Sequence, residues 1–329
     1  MFRIGLAGVG HLGKHHLRIL QDLPELEFAG CFDIDPGVQE REREKGVVVY
    51  QTFQEMLGDV DAIDIVVPTK DHHSLALQSL QAGKPIFVEK PIARTLDEAR
   101  DIVELAADRE LIVQVGHIER FNPAILALKD FPLDPRFIES HRLSQFQPRG
   151  TDVAVVLDLM IHDIDIIQSL VKSPVSEVAA SGVAVVTDSI DIANARLTFE
   201  NGCVANITAS RISQKSMRKL RIFQQAAYIS VDFHNNTTEI YQLREPGQHN
   251  EGAIPVILGD MQYQNEKKHI IYEQLPVPEI NALQEELRAF GQAVNKQQSP
   301  AVSGSEGLRA LEVAQLIQQK IQESSVSTE

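Results

Sequence analysis

Short apolar runs alternate with amphipathic stretches over the first 120 or so residues. The runs lie at 2–7, 26–32, 62–67, 86–88 and 111–115. Between them, apolar residues recur at helical spacing, notably over 14–22, 37–45, 73–82 and 95–108. Buried strands alternating with amphipathic helices predict a parallel, doubly wound sheet. The rhythm changes at Phe121-Asn122-Pro123. A helix near 123–129 and a proline-rich turn at 131–135 lead to a helix from about 151 to 171. Alternating segments follow at 177–187, 191–199, 202–211, 218–224, 227–233 and 237–243, with turn signals at Glu200-Asn201-Gly202 and His234-Asn235-Asn236. That period of two predicts a largely antiparallel sheet. Two helices, about 279–295 and 304–323, end the pattern. The polar stretch 246–268 reads as an irregular, mobile loop. The run Glu40 to Lys45, alternating in sign, reads as a solvated helix face.

The expected fold class is therefore an α/β Rossmann domain over 1–120 and an α+β domain over 121–329. A chain of 329 residues fits two domains. The net charge of −15 argues against a nucleic-acid partner, whose phosphates such a field repels. No apolar run reaches the length of about 18 residues that spans a bilayer, so membrane insertion is not expected. The first strand begins at residue 2, which leaves no room for a signal peptide. Cys31 and Cys203 make no disulfide framework. Together these predict a cytoplasmic protein.

One motif changes the picture. The first strand runs straight into Gly8-x-Gly10-x-x-Gly13, with His11 and Leu12 between the second and third glycines, and a helix follows. Asp33 stands at the end of the second strand, about 20 residues on, where a dinucleotide-binding unit keeps its ribose-binding acid. Gly8 permits the tight turn, Gly10 lets a pyrophosphate approach the backbone, and Gly13 permits close packing. The helix N-terminus offers unpaired N–H groups and partial positive charge to the phosphates. Asp33 would accept from ribose hydroxyls and repel a 2′-phosphate, and Ile34-Asp35-Pro36-Gly37 supplies no nearby arginine. NAD is favoured over NADP.

Three further signals bear on chemistry. Glu89-Lys90-Pro91 ends a strand at the carboxyl edge of the parallel sheet, where such sheets bind ligands. An isolated lysine there is more often a solvated loop residue. Asp158 and His162 are four apart, so the acid can orient the imidazole as a general base. The same pair could be a purely structural helix contact. A metal is not expected, because no third ligand stands at suitable spacing. Finally, Arg211, Lys215, Arg218, Lys219 and Arg221 make a basic cluster in an acidic chain, with Arg149 upstream. They suggest an anionic ligand group such as a diphosphate, or a charged strand edge that blocks aggregation.

In these residues the chain resembles the glucose–fructose oxidoreductase, inositol dehydrogenase and MocA family of NAD(P)-dependent sugar dehydrogenases, over essentially its full length. Gly8-x-Gly10-x-x-Gly13 resembles the family's cofactor loop. Val67-Pro68-Thr69-Lys70-Asp71-His72 resembles its T-P-N-x-x-H segment near the nicotinamide, with Val67 and Thr69 departing from it. Glu89-Lys90-Pro91 and Asp158-x-x-x-His162 resemble its E-K-P and D-x-x-x-H signatures. Pro300 to Gly307 resembles its closing turn. The resemblance implies cofactor contacts from Gly8, Gly10, His11, Leu12, Gly13, Asp33, Pro68, Thr69, His72, Glu89, Lys90 and Pro91. It implies Lys90 and His162 as catalytic groups, with Asp158 beside them.

A finer resemblance, over Val115 to Pro123 and Arg149 to Asp165, is to the subgroup of bacterial UDP-N-acetylglucosamine 3-dehydrogenases. It implies a UDP-sugar substrate held by Lys90, Arg149, Asp158, His162 and Arg211. It also implies a product passed to a PLP aminotransferase in lipid A 2,3-diamino sugar synthesis, and a homodimer or homotetramer. Alternatives are a dehydrogenase of a free sugar or inositol, a non-catalytic NAD-binding regulator, and a retaining hydrolase that uses NAD transiently. The chain keeps both Lys90 and His162, unlike such a regulator, and lacks a G-G-H-G-type loop, unlike such a hydrolase.

Overall fold

The computed structural model describes residues 2–146, 153–245, 256–263 and 266–326. They form two compact units: residues up to Ile118 with Ile280–Glu312, and Glu119–Glu279 with the chain from Val313.

The first unit opens with β1 (Arg3–Ala7), α1 (Gly13–Asp22), β2 (Glu27–Phe32), α2 (Pro36–Glu44) and α3 (Phe53–Asp59). It continues through β3 (Ala62–Ile65), α4 (Thr69–Gln81), β4 (Ile86–Glu89), α5 (Leu96–Asp108) and β5 (Val113–Gly116). The five strands are parallel in the order β2-β1-β3-β4-β5. Val49 adds a parallel bridge to Cys31 outside β2, which completes the Rossmann strand order on that edge. Ile4, Leu6, Ile63, Ile65, Ile86, Phe87 and Val88 are fully buried, as strands covered on both faces require. Helix starts are written in the sequence. Asp35 caps α2 ahead of Pro36, Thr52 caps α3, and Thr95 with Glu98 makes a reciprocal capping box on α5.

The second unit holds α6 (Pro123–Leu126), β6 (Phe137–Leu143), a π-helical turn at Val156–Met160 and α7 (Ile161–Val171). Then come β7 (Val175–Val183), β8 (Ile192–Phe199), β9 (Val204–Ser210), β10 (Met217–Gln224), β11 (Ala227–Asp232), β12 (Thr237–Arg244), β13 (Val256–Tyr263) and β14 (Glu266–Gln274). They form one sheet in the order β13-β14-β12-β11-β10-β6-β9-β8-β7, antiparallel except for β6 and β9.

Three expectations change here. The stretch 246–268 is not an irregular loop where it is described: β13 and β14 pair as a hairpin against β12. Val256, Ile257 and Leu258 are all exposed, so this edge lacks the in-and-out alternation that marks a half-buried strand. β6 was not legible at all, because its inward positions after Ile138 are Ser140 and Arg142. The regular helix expected from about 151 begins only at Ile161, after the π-helical turn, and residues 151–152 lie outside the described set.

The last two helices, α8 (Ala282–Lys296) and α9 (Gly304–Val326), follow the antiparallel sheet in sequence. α8 nevertheless belongs to the first unit. Its Leu287 and Phe290 are fully buried in the cluster of Phe2, Leu20, Leu26 and Phe87, with Phe290 edge-on to both Phe2 and Phe87. The first turns of α9, through Glu312, belong there too.

Candidate active site

The glycine-rich loop sits between β1 and α1. Gly8 has φ of +93°, and a side chain there would stand 2.6 Å from the Val66 carbonyl, so only glycine fits. A Cβ on Gly13 would lie 2.0 Å from the Gly8 carbonyl oxygen, so the tight packing it permits is against the loop itself. Gly10 differs: a Cβ there would meet nothing within 4 Å. Nothing in the chain requires glycine at that position, whereas a pyrophosphate lying against the backbone does. No side chain caps α1 at Leu12, which leaves the helix N-terminus open to an anionic ligand. These features fit a dinucleotide.

Asp33 is buried at the end of β2. Its carboxylate accepts from the Val9 N–H at 2.7 Å and the Asp35 N–H at 2.9 Å, fixing it against the glycine loop. Beside it opens a cleft of about 430 Å³ lined by Val9, Gly10, His11, Lys14, Val38, Arg41, Glu42 and Lys45. Of these, sequence reading picked out Gly10 and His11. The run Glu40 to Lys45 is not wholly solvated, since Glu42 is 1% exposed.

At the carboxyl ends of β3 and β4, Pro68, Thr69, His72, Glu89, Lys90 and Pro91 come together in the same unit. His72 is buried. Its Nδ1 lies 2.9 Å from the Pro91 carbonyl and its Nε2 lies 2.9 Å from the Val67 carbonyl. The ring therefore joins the corner at Val67-Pro68-Thr69 to the Lys90-Pro91 corner, whose peptide bond is cis. Burial pushes this imidazole below its ordinary value against the pull of both carbonyls. Lys90 is half-buried, and its backbone N–H donates to Glu89 Oε2 at 3.2 Å.

Beneath this corner is a group that sequence reading missed. His16, on α1, is 2% exposed, with Nδ1 2.8 Å from Asp64 Oδ2 on β3 and Nε2 3.2 Å from Glu89 Oε1. Burial opposes a charge on the ring, but the two carboxylates outweigh it and push His16 up to about 10. The available signal was an aspartate in the middle of the apolar strand Ala62-Ile63-Asp64-Ile65.

In the second unit, Asp158 lies in the π-helical turn and His162 in the first turn of α7, both half-buried. Such turns recur at functional sites. The pair thus straddles a change of helix type, not one continuous α-helix. α7 is fixed by buried charges just after His162. Arg142 donates to Asp163 at 2.6 Å and to Glu119 at 2.7 Å, and Ser140 donates to Asp163 at 2.8 Å. Arg120 binds Asp165 through two parallel bonds of 2.6 and 2.8 Å. Glu119, Arg120, Asp163 and Asp165 belong to the segments that carry the finer resemblance, and here they form the scaffold of a helix.

The basic cluster is mostly paired. Lys219 lies 3.1 Å from Asp232, Arg221 3.4 Å from Glu139 and Arg218 3.8 Å from Glu119. Arg211 is buried, and its guanidinium donates to the Val153 carbonyl. Arg149 lies outside the described residues. Among the described residues, no three His, Cys, Asp or Glu side chains are grouped to hold a metal ion, and no helix is long and apolar enough to cross a membrane.

A Rossmann sheet with this glycine loop and this acid defines a dinucleotide-binding protein, and comparison with known proteins specifies the family. Residues 2–117 match the model described as an oxidoreductase family, NAD-binding Rossmann fold, and residues 141–328 match its C-terminal alpha/beta domain. The chain belongs to this family, that of glucose–fructose oxidoreductase, inositol dehydrogenase and MocA, and its cofactor is NAD. It is 36% identical over 314 residues to the UDP-N-acetylglucosamine 3-dehydrogenase of Acidithiobacillus ferrooxidans, covering 95% of each chain. A solved structure of that enzyme superposes with a TM-score of 0.86 at 34% identity, covering 98% of each chain. The myo-inositol 2-dehydrogenase of Thermotoga maritima is 25% identical over 331 residues, covering 94% of this chain and 93% of that one.

Proposed function

We propose that the protein oxidises C3 of UDP-N-acetylglucosamine to the 3-keto sugar. The observation that carries the substrate is the 36% identity to the Acidithiobacillus enzyme along nearly the whole of both chains. The inositol reading is the weaker one, because its relative of comparable coverage is only 25% identical.

When bound, NAD would supply the acceptor for the hydride lost from the sugar carbon. The chain's residues do the rest. His162, neutral, takes the hydroxyl proton, and Asp158 orients it. Lys90 stabilises the oxygen as it becomes negative. The glycine loop with His11 and Leu12 holds the pyrophosphate, and Asp33 takes the ribose hydroxyls. Pro68, Thr69, His72, Glu89, Lys90 and Pro91 shape the nicotinamide end. Arg149 and Arg211 are assigned to the sugar diphosphate; for Arg211, the bond to Val153 places one condition on this, that part of the guanidinium still serves the ligand. The proposed setting is cytoplasmic, as a homodimer or homotetramer, with a PLP aminotransferase consuming the ketone for lipid A 2,3-diamino sugars.

The test is a substrate panel read by NADH formation: UDP-N-acetylglucosamine, its uronate, free glucose and free inositol. Fastest turnover of UDP-N-acetylglucosamine is expected. Faster turnover of inositol or glucose selects the other reading.

A further inference from the structure

Arg41 and Glu42 near the end of helix α2, with Lys45 at its C-cap, form one wall of the cleft beside Asp33. Its charges are not equivalent. Glu42 is 1% exposed, while the side chains of Arg41 and Lys45 are 51% and 57% exposed. The Glu42 carboxylate accepts from Arg41 Nε at 3.0 Å and from Lys45 Nζ at 3.0 Å on each oxygen. Arg41, Glu42 and Lys45 all line the cleft, together with His11, Lys14 and the Val9–Gly10 backbone. The Val9 N–H is itself the group that binds Asp33. The buried Cys31 thiol is pushed up to about 12, first by burial and then by the charges of Glu42 and Asp33, so both carboxylates act on one region.

Arginine and lysine side chains at the end of the second strand are what a Rossmann domain uses to accept the 2′-phosphate of NADP. This cleft has three cations, Lys14 from α1 and Arg41 and Lys45 from the end of α2, and an internal carboxylate engages the last two. We propose that Glu42 is a cofactor-specificity residue: by holding Arg41 and Lys45 it withholds them from a 2′-phosphate and keeps the cleft selective for NAD. The proposal rests on NAD being the cofactor. Asp33 excludes the phosphate by repulsion, and Glu42 occupies two of the three cations that would otherwise compensate. Selectivity of this kind combines an unfavourable contact for the wrong ligand with the loss of a favourable one. Each released cation offers the phosphate a charge-assisted hydrogen bond.

Calorimetric titration of the full chain with NAD and with NADP tests this without any sugar substrate. Glu42→Gln is expected to tighten NADP about tenfold or more, the range of one or two bonds to a charged group, while NAD changes less than about threefold. Adding Arg41→Gln and Lys45→Gln should abolish the gain. Glu42→Gln combined with Asp33→Asn should tighten NADP more than either change alone. If Glu42→Gln does not fold, Glu42→Met with Lys45→Met removes a matched charge pair and frees Arg41, and NADP should again tighten. An NADP-to-NAD affinity ratio unchanged within twofold in whichever variant folds overturns the proposal. Tighter binding of NADP than NAD by the unaltered protein would instead refute the cofactor reading, and it shows in that arm alone.

Discussion

His16 Nδ1 stands 2.8 Å from Asp64 Oδ2, with both side chains buried in the core between α1 and β3. The helix that begins at the glycine loop is thus tied by a charge to the strand beside it. Through Glu89 the same ring is tied to the corner that carries Lys90. Because His16 is pushed up to about 10 from an ordinary value of 6.5, the folded state holds a proton that the unfolded chain releases. The stabilisation is fully present below pH 6.5 and is lost as pH rises through about 10. Urea titrations of the protein and of His16→Gln across this range should show the gap between their midpoints shrinking as pH rises. A gap that is constant with pH would contradict a charged His16.

Arg142 bridges two buried carboxylates, so its loss strips Asp163 of its cation and leaves Glu119 only the more distant Arg218 at 3.8 Å. Arg142→Leu is expected to cost about 3–5 kcal/mol, as for other broken buried pairs. Arg136 and Asp134 form an exposed pair, with side chains 62% and 67% exposed. Arg136→Ala should cost less than about 1 kcal/mol. Chemical denaturation measures both, and equal effects would refute the role given to Arg142 in fixing α7.

Asp33 has two tasks, accepting loop N–H groups and meeting the ribose. Asp33→Ala should therefore weaken NAD far more than NADP, because the second cofactor loses a repulsion as it loses the contact. Parallel calorimetric titrations decide this, and equal losses for the two cofactors would be the contrary result.

Lys90→Ala and His162→Ala should each lose about a hundred- to ten-thousand-fold in turnover, the usual worth of a positioned acid or base, while NAD still binds. Asp158→Asn should lose less than His162→Ala if it only orients the ring. Steady-state kinetics beside cofactor titrations separate the two effects, and near-normal turnover in Lys90→Ala would remove it from the mechanism.

The Rossmann unit was legible in sequence because its signals are local. A glycine loop, an acid at a strand end and buried apolar strands each follow from one short segment. β6 was hidden because the inward positions that should be apolar are Ser140 and Arg142, whose partners Glu119, Asp163 and Lys219 are distant in sequence. The same holds for His16, whose importance depends on Asp64 and Glu89 arriving from two other elements. α8 follows the second unit's strands in sequence, and only the packing of Phe290 on Phe2 and Phe87 assigns it to the first. Glu42 looked solvated because a run of alternating charge carries no mark of which member turns inward.

The most direct test of the proposed reaction couples the protein to a PLP aminotransferase that uses an amino donor to consume the ketone. The coupling is needed because the equilibrium of alcohol oxidation by NAD lies toward the alcohol. With UDP-N-acetylglucosamine and NAD supplied, NADH should form and mass spectrometry should find a UDP-sugar bearing an amino group in place of one hydroxyl, located at C3 by NMR. The same mixture with the His162→Ala protein should yield neither. Absence of NADH with the unaltered protein, or an amino group at any carbon other than C3, would contradict the assignment.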